Sequence, residues 1–158
     1  GTMAADPVHG TAAASFRLAP LSARAPLINC SNRSFIRPGG TAFTGFVIGD
    51  GELKTVLVRA IGPGLAPFGV ADALRDPKIE VVRATGNPGS SPANDNWSSG
   101  SAQSIQRTGA AVGAFSLPEN SQDAAAILTL APGNYVAQVS SSDPADSGQV
   151  LIEVYVLP

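Results

Sequence analysis

The residues with most capacity for chemistry sit in one polar stretch, Asn94-Asp95-Asn96-Trp97. Three consecutive side chains there carry oxygen, and the tryptophan that follows is the only one in the chain. Two chemistries follow from those residue types. Ca²⁺ takes about six to eight oxygens from carboxylates, amides and carbonyls, which makes Asn94, Asp95 and Asn96 the candidate metal ligands. An exposed indole stacks on sugar rings while neighbouring amides and carboxylates bond the hydroxyls. Asn94, Asp95, Asn96 and Trp97 together are therefore the candidate carbohydrate site. Each reading has a plain structural counterpart. Only Asp95 carries charge and EF-hand spacing is absent, so an Asx turn with Asp95 accepting nearby backbone amides is the expected state of the loop. A lone indole after a turn more often plugs the edge of a core, which predicts that Trp97 is at least half buried. Asp143 and Asp146, in a later loop, raise the metal question on a smaller scale.

Catalytic constellations fail on inventory. The one histidine, His9, lies in an irregular N-terminal stretch, so a Ser-His-Asp triad would hang on that arm. Cys30, the one cysteine, sits in an apolar context (Leu27-Ile28-Asn29-Cys30) and reads as a small core residue. One His and one Cys cannot assemble a zinc site. Gly62-Pro63-Gly64 lacks the Lys-Ser/Thr and the helix that make a glycine loop useful for phosphate, and reads as a turn after a buried strand. Glycoside cleavage needs two acids across a cleft. The candidates Asp50, Glu52, Asp76, Glu80, Asp95, Glu119, Asp123 and Glu153 show no spacing that singles out a pair. Lys54 and Lys78 are the only lysines available for an intramolecular isopeptide, and both read as solvent-facing strand residues.

Composition sets the frame that must position these groups. Of 158 residues, 44% are hydrophobic but only 6% aromatic, and charged residues reach just 14%, against about 25% in ordinary soluble domains. Seventeen Gly and thirteen Pro supply the turns that many short strands require. A net charge of -2, with no basic stripe, argues against nucleic acid. No apolar run approaches the roughly 20 residues of a membrane helix. No signal peptide is visible, and Gly1-Thr2-Met3 resembles a cloning remnant.

The pattern along the chain is one of strands. Residues 1–25 read as a linker or arm, and residues 26–158 as one module. Strands are expected at Leu27–Ser31, Ala42–Ile48, Leu53–Ile61, Lys78–Ala84, Ala124–Leu130, Tyr135–Ser140 and Val150–Leu157. Pro38-Gly39-Gly40 and Pro132-Gly133-Asn134 mark turns, the second closing a hairpin between its flanking strands, and Gly49-Asp50-Gly51 is a tight hairpin signal. Leu53–Ile61 is apolar on both faces, so both should be covered. A helical turn is expected near Val70–Leu74 and one or two turns at Ser101–Arg107. With about eight short strands and no 10–15-residue helical windows, the fold class is all-β, an antiparallel β-sandwich of jelly-roll type. The expected core includes Val56, Val58, Val81, Ile127, Leu128, Val136, Val139 and Leu151.

Several segments carry a resemblance. Leu27-Ile28-Asn29, Gly45-Phe46-Val47-Ile48, Leu57 to Pro63, Asn94 to Trp97, Asp123-Ala124-Ala125 and Pro132 to Tyr135 resemble a β-rich module of large surface or secreted proteins of environmental bacteria. The likeness spans about residues 27–156. The segment Ala131–Ser140 also resembles the end of bacterial pre-peptidase C-terminal domains, which are non-catalytic sandwiches. Both resemblances imply an accessory module and supply no site residues. The sequence thus points to a non-catalytic structural or adhesive unit at the cell surface or outside the cell. Its expected partner is a polysaccharide, another surface component or a copy of itself, and a carbohydrate-binding module is the alternative. No cofactor is required, and Ca²⁺ is the one metal its side chains suit. Function is expected in the loops 86–100 and 141–148 or along an edge strand.

Overall fold

The computed structural model describes residues 29–49, 51–84 and 91–157. Eight strands form two four-stranded antiparallel sheets: β1 (Asn29–Ile36), β2 (Ala42–Ile48), β3 (Lys54–Ile61), β4 (Pro77–Arg83), β5 (Ala93–Asn94), β6 (Ala124–Leu130), β7 (Gly133–Ser141) and β8 (Gly148–Val156). The first sheet runs β1-β8-β3-β6 and the second β2-β7-β4-β5. One helix, α1 (Ala102–Ala111), and a short 3-10 helix at Pro63–Phe68 complete the regular structure of the described residues. The expected β-sandwich is what forms. The expected arm, residues 1–25, and His9 lie outside the described residues.

The connections correct the expected hairpins. β6 pairs with β3, whereas β7 pairs with β2 and β4, so Pro132-Gly133-Asn134 carries the chain from one sheet to the other. The link between β2 and β3 likewise changes sheets. A turn residue fixes where the chain reverses; burial of the facing side chains decides which strand it meets. The other correction lies in the β3–β4 connection. The helical turn forms at Pro63–Phe68 rather than near Val70–Leu74, ended by Gly69 in the left-handed region at φ 79°.

Between the sheets lies the main core: Val56, Val58 and Ala60 of β3 face Ile79, Val81, Ala137 and Val139 of the second sheet, with Val150, Ile152 and Val154 of β8 beside them. The opposite face of β3 does not meet water. Leu57 and Ile61 pack with Leu65, Trp97, Ile105, Leu117, Ala125 and Tyr155 in a second core on the outside of the first sheet. α1 lies over it, burying Ile105 and Gly109 one helical turn apart. Both faces of β3 are therefore covered, from Val56 to Ile61, although Leu53 remains exposed. Of the expected core, Val56, Val58, Val81 and Val139 are buried, while Ile127, Leu128, Val136 and Leu151 are half-buried. Cys30 is half-buried and unpaired.

Candidate functional site

Under the cap of the first sheet lies a closed polar network. Asp123, fully buried, accepts the amide of Gly62 at 2.8 Å and of Gly64 at 3.1 Å, and the Ser121 hydroxyl at 2.6 Å. Pro63 between the two glycines has no N–H to satisfy, so one carboxylate completes the entry to the 3-10 helix. A Cβ on Gly64 would stand 2.8 Å from Asp123 Oδ2, and one on Gly62 would overlap the Leu74 carbonyl. Trp97 joins the same network: its amide donates to the Asp123 carbonyl at 2.8 Å and its Nε1–H to Ser121 Oγ at 3.1 Å. Asn94 Oδ1 accepts the Ala125 amide, and its Nδ2 donates to the Asn96 carbonyl. Segments far apart in sequence, around Gly62, Asn94 and Asp123, are thus tied at one end of the sandwich.

Beside it, Arg59 and Glu153 face each other directly across β3 and β8. Arg59 Nε lies 3.2 Å from Glu153 Oε2 with both side chains buried. Arg59 Nη1 donates to the Phe115 carbonyl at 2.8 Å, and the guanidinium lies 4.6 Å from the Phe115 ring centroid. Burial lowers the Arg59 pKa even though Glu153 opposes the shift. Burial also raises Tyr155, with Glu153 adding to it, to about 12. The cavity lined by both Arg59 and Trp97 measures about 20 Å³, too small for a substrate. Sequence reasoning did not single out Arg59 and Glu153 as a pair. The available signal was one opposite charge in the middle of each of two apolar strands.

The expected Asn94–Trp97 site separates into two parts. Trp97 is 1% exposed, so its ring offers no face for stacking on a sugar. Asn94 is turned inward, its Oδ1 accepting the Ala125 amide of β6. Among the described residues no backbone amide bonds Asp95, contrary to the expected Asx turn. Asp95 is exposed and half-buried Asn96 lies beside it. Among the described residues no three His, Cys, Asp or Glu gather as metal ligands. In the later loop Asp146 is filled by donors: the Arg75 amide at 2.8 Å, Arg75 Nε at 2.9 Å, Ser141 Oγ and the Ser147 amide. Burial pushes Asp146 up, but these donors outweigh it and hold the carboxyl below its ordinary value. Asp143 Oδ1 accepts the Ala145 amide. That loop is a clasp on the β3–β4 connection.

Among the described residues two larger clefts are open: one of about 410 Å³ runs along β6 beside α1, and the more polar one lies on the outer face of the second sheet. The polar cleft, of about 500 Å³, is lined by Thr41, Lys78, Glu80, Asn94, Asp95 and Gln138, among others. Strand register builds it: Lys78 lies opposite Ser140, and Glu80 lies between Gln138 and Ala93. Phe43, 58% exposed, stands on the same face opposite Gln138. Farther along, Gly45, Val136 and Val82 form a row without polar groups, followed by exposed Val47. Of the expected site residues, Asn94 and Asp95 border this cleft and Trp97 does not.

Neither a protein-family model nor a curated protein matches the sequence. Solved structures do share its outline. The pre-peptidase C-terminal domain of a Bacillus anthracis collagenase aligns over 82% of this chain and 90% of its own, at 12% identity and a TM-score of 0.46. The Yersinia pseudotuberculosis-derived mitogen covers 82% and 86% at 7% identity and 0.46. Aeromonas hydrophila PliG, a periplasmic inhibitor of g-type lysozyme, covers 82% and 87% at 12% identity and 0.45. Likenesses this distant assign neither a family nor an activity.

Proposed function

We propose that this chain is a non-catalytic extracellular module of a larger surface or secreted protein, which holds its partner on the outer face of the second sheet. The observation that carries this reading is the asymmetry of the sandwich. On the first sheet α1 and a second core cover the outer face of β3, leaving Phe35 exposed at the β1 edge and a cleft beside β6. The outer face of the second sheet carries no such layer among the described residues and leaves Phe43, Val47 and a polar cleft in solvent. A contiguous apolar patch rimmed by polar groups marks an interaction surface. Here Phe43, Gly45, Val47 and the half-buried Val82 and Val136 adjoin on one face beside the polar cleft. Asp123 is taken up by amides and a hydroxyl, and Glu153 is paired with Arg59. Asp76, whose pKa burial and Asp95 raise, has neither a histidine nor a cysteine beside it among the described residues. Calcium, if it contributes, would act at Asp95 and the neighbouring loop oxygens.

The test is adhesion to polysaccharide-coated and bacterial-envelope-coated beads. Phe43→Lys with Val47→Lys should abolish retention, and Gln106→Lys on the outside of α1 should leave it intact. Turnover of esters, peptides or polysaccharides by the purified protein would refute the non-catalytic part.

A second reading, self-association, is favoured by β2. It is an edge strand, and Ala42–Ile48 contains neither charge nor proline, the usual guards against strand addition. Sedimentation of wild type against Val47→Lys tests it: a concentration-dependent dimer in the first and a monomer in the second.

A further inference from the structure

We infer that the outer face of the second sheet takes a neutral polysaccharide chain, laid across the sheet from the polar cleft to a notch at Gly45. This rests on the reading of that face as the binding face and names its ligand class.

The notch is the first observation. Gly45 sits mid-strand in β2 with its outward position between Phe43 and Val47. Its φ is not among the positive values of the chain, so no backbone strain calls for glycine. A Cβ there would meet only the Tyr135 carbonyl, at 4.0 Å, so no neighbour excludes a side chain. Glycine weakens a strand interior and often marks close approach of a ligand or another chain. Here its effect is a bare strip of backbone flanked by an aromatic ring and a valine.

The second observation is the order of chemistry across the face. The row Gly45-Val136-Val82 is apolar, the next row is Phe43-Gln138-Glu80, and the next pairs Ser140 with Lys78 near Asp95. A sugar ring has an apolar face of C–H groups and a rim of hydroxyls that both donate and accept. The valine row and the Phe43 ring suit the first. The amide, carboxylates, ammonium and hydroxyl suit the second, because together they supply donors and acceptors at one side of the chain.

Charge narrows the class. Among the described residues Lys78 is the one cation lining the cleft, against Glu80 and Asp95, with Asp76 close enough to Asp95 that the two repel. A uronate polymer would bring anions to a site already net negative, so a neutral polymer fits better.

The experiment is affinity electrophoresis and calorimetry with xylan, hydroxyethyl cellulose and laminarin as neutral probes and polygalacturonate as the uronate probe. Wild type, Gly45→Val, Gln138→Ala and Gln106→Ala are compared, with melting curves for each. At least one neutral glycan should bind wild type and Gln106→Ala alike. Gly45→Val should melt no lower than wild type yet bind about tenfold or more weakly, since a tenfold change is readily resolved. Gln138→Ala should weaken binding in the same direction. The inference is overturned if no neutral glycan binds, if Gly45→Val binds as wild type does, or if polygalacturonate binds more tightly than every neutral probe. If no glycan binds while Phe43→Lys with Val47→Lys still abolishes retention on envelope-coated beads, the ligand class falls and the binding face stands. If that double variant also keeps its retention, both fall.

Discussion

Replacing Asp123 should show how strongly one carboxylate holds the capped end of the sandwich. The side chain is fully buried and receives the Gly62 and Gly64 amides and the Ser121 hydroxyl. Asp123→Ala strands two amides of buried glycines. Each buried donor left without a partner costs about 1–3 kcal/mol, so the pair costs about 2–6 kcal/mol. That is a large share of a typical stability of about 5–15 kcal/mol. At about 3 °C per kcal/mol for a chain of this length, the midpoint should fall by roughly 6–18 °C. Asp123→Asn keeps an acceptor for both glycines, and the Ser121 hydroxyl can turn to accept from the new amide. Its cost should be only about 1 kcal/mol. Urea unfolding followed by the fluorescence of Trp97, whose amide bonds the Asp123 carbonyl, reads both variants at the site concerned. An Ala variant within about 1 kcal/mol of wild type, or equal losses for Ala and Asn, would refute the reasoning.

Other outcomes follow from the same geometry. Leu57→Ala, emptying a fully buried position in the second core, should cost about 2–5 kcal/mol in the same urea assay. Arg59→Ala should cost about 3–5 kcal/mol, because it leaves Glu153 charged and buried, whereas Arg59→Met with Glu153→Leu should lose far less or nothing. The carboxyls Asp146 and Asp76 should show opposite pH signatures in melting curves. Asp146, held below its ordinary value, stabilises the fold above the unfolded pKa of about 3.9, and that contribution fades as pH falls through the folded value. Asp76 is raised by burial and by Asp95, so its charged form opposes folding once pH passes above about 3.9. Asp76→Asn should therefore stabilise the protein at neutral pH, with the gain disappearing in acid. If Ca²⁺ binds near Asp95, it should raise the melting temperature and EDTA should reverse the rise; identical curves at saturating Ca²⁺ would remove the metal.

Much of the sandwich was legible because strand interiors obey a period of two. Ala42–Ile48 and Ala124–Leu130 form strands with the expected bounds, and the doubly apolar Leu53–Ile61 is covered on both faces over its buried part. β1 was harder to place. Its sequence NCSNRSFI lacks apolar alternation because it lies at a sheet edge, where Asn32 meets Thr44 across the opening. Strand pairing was not legible from the turns: Pro132-Gly133-Asn134 has hairpin chemistry, yet its two strands belong to different sheets. Trp97 reads as a core plug from its sequence context and is one. The polar cleft could not be seen, since Lys78, Glu80, Asp95 and Gln138 are brought together only by the register of β4, β5 and β7. A loop announces itself by composition, whereas a sheet face is assembled from every second residue of several distant strands.

Hydroxyl-radical footprinting, with the protein free and then bound to the glycan- or envelope-coated surface that retains it, tests the account most directly. Phe43 should be oxidised readily in the free protein and protected on binding, while Trp97 stays unmodified in both states. Ready oxidation of Trp97 in the free protein, or protection that falls on α1 and leaves Phe43 unchanged, would contradict the account.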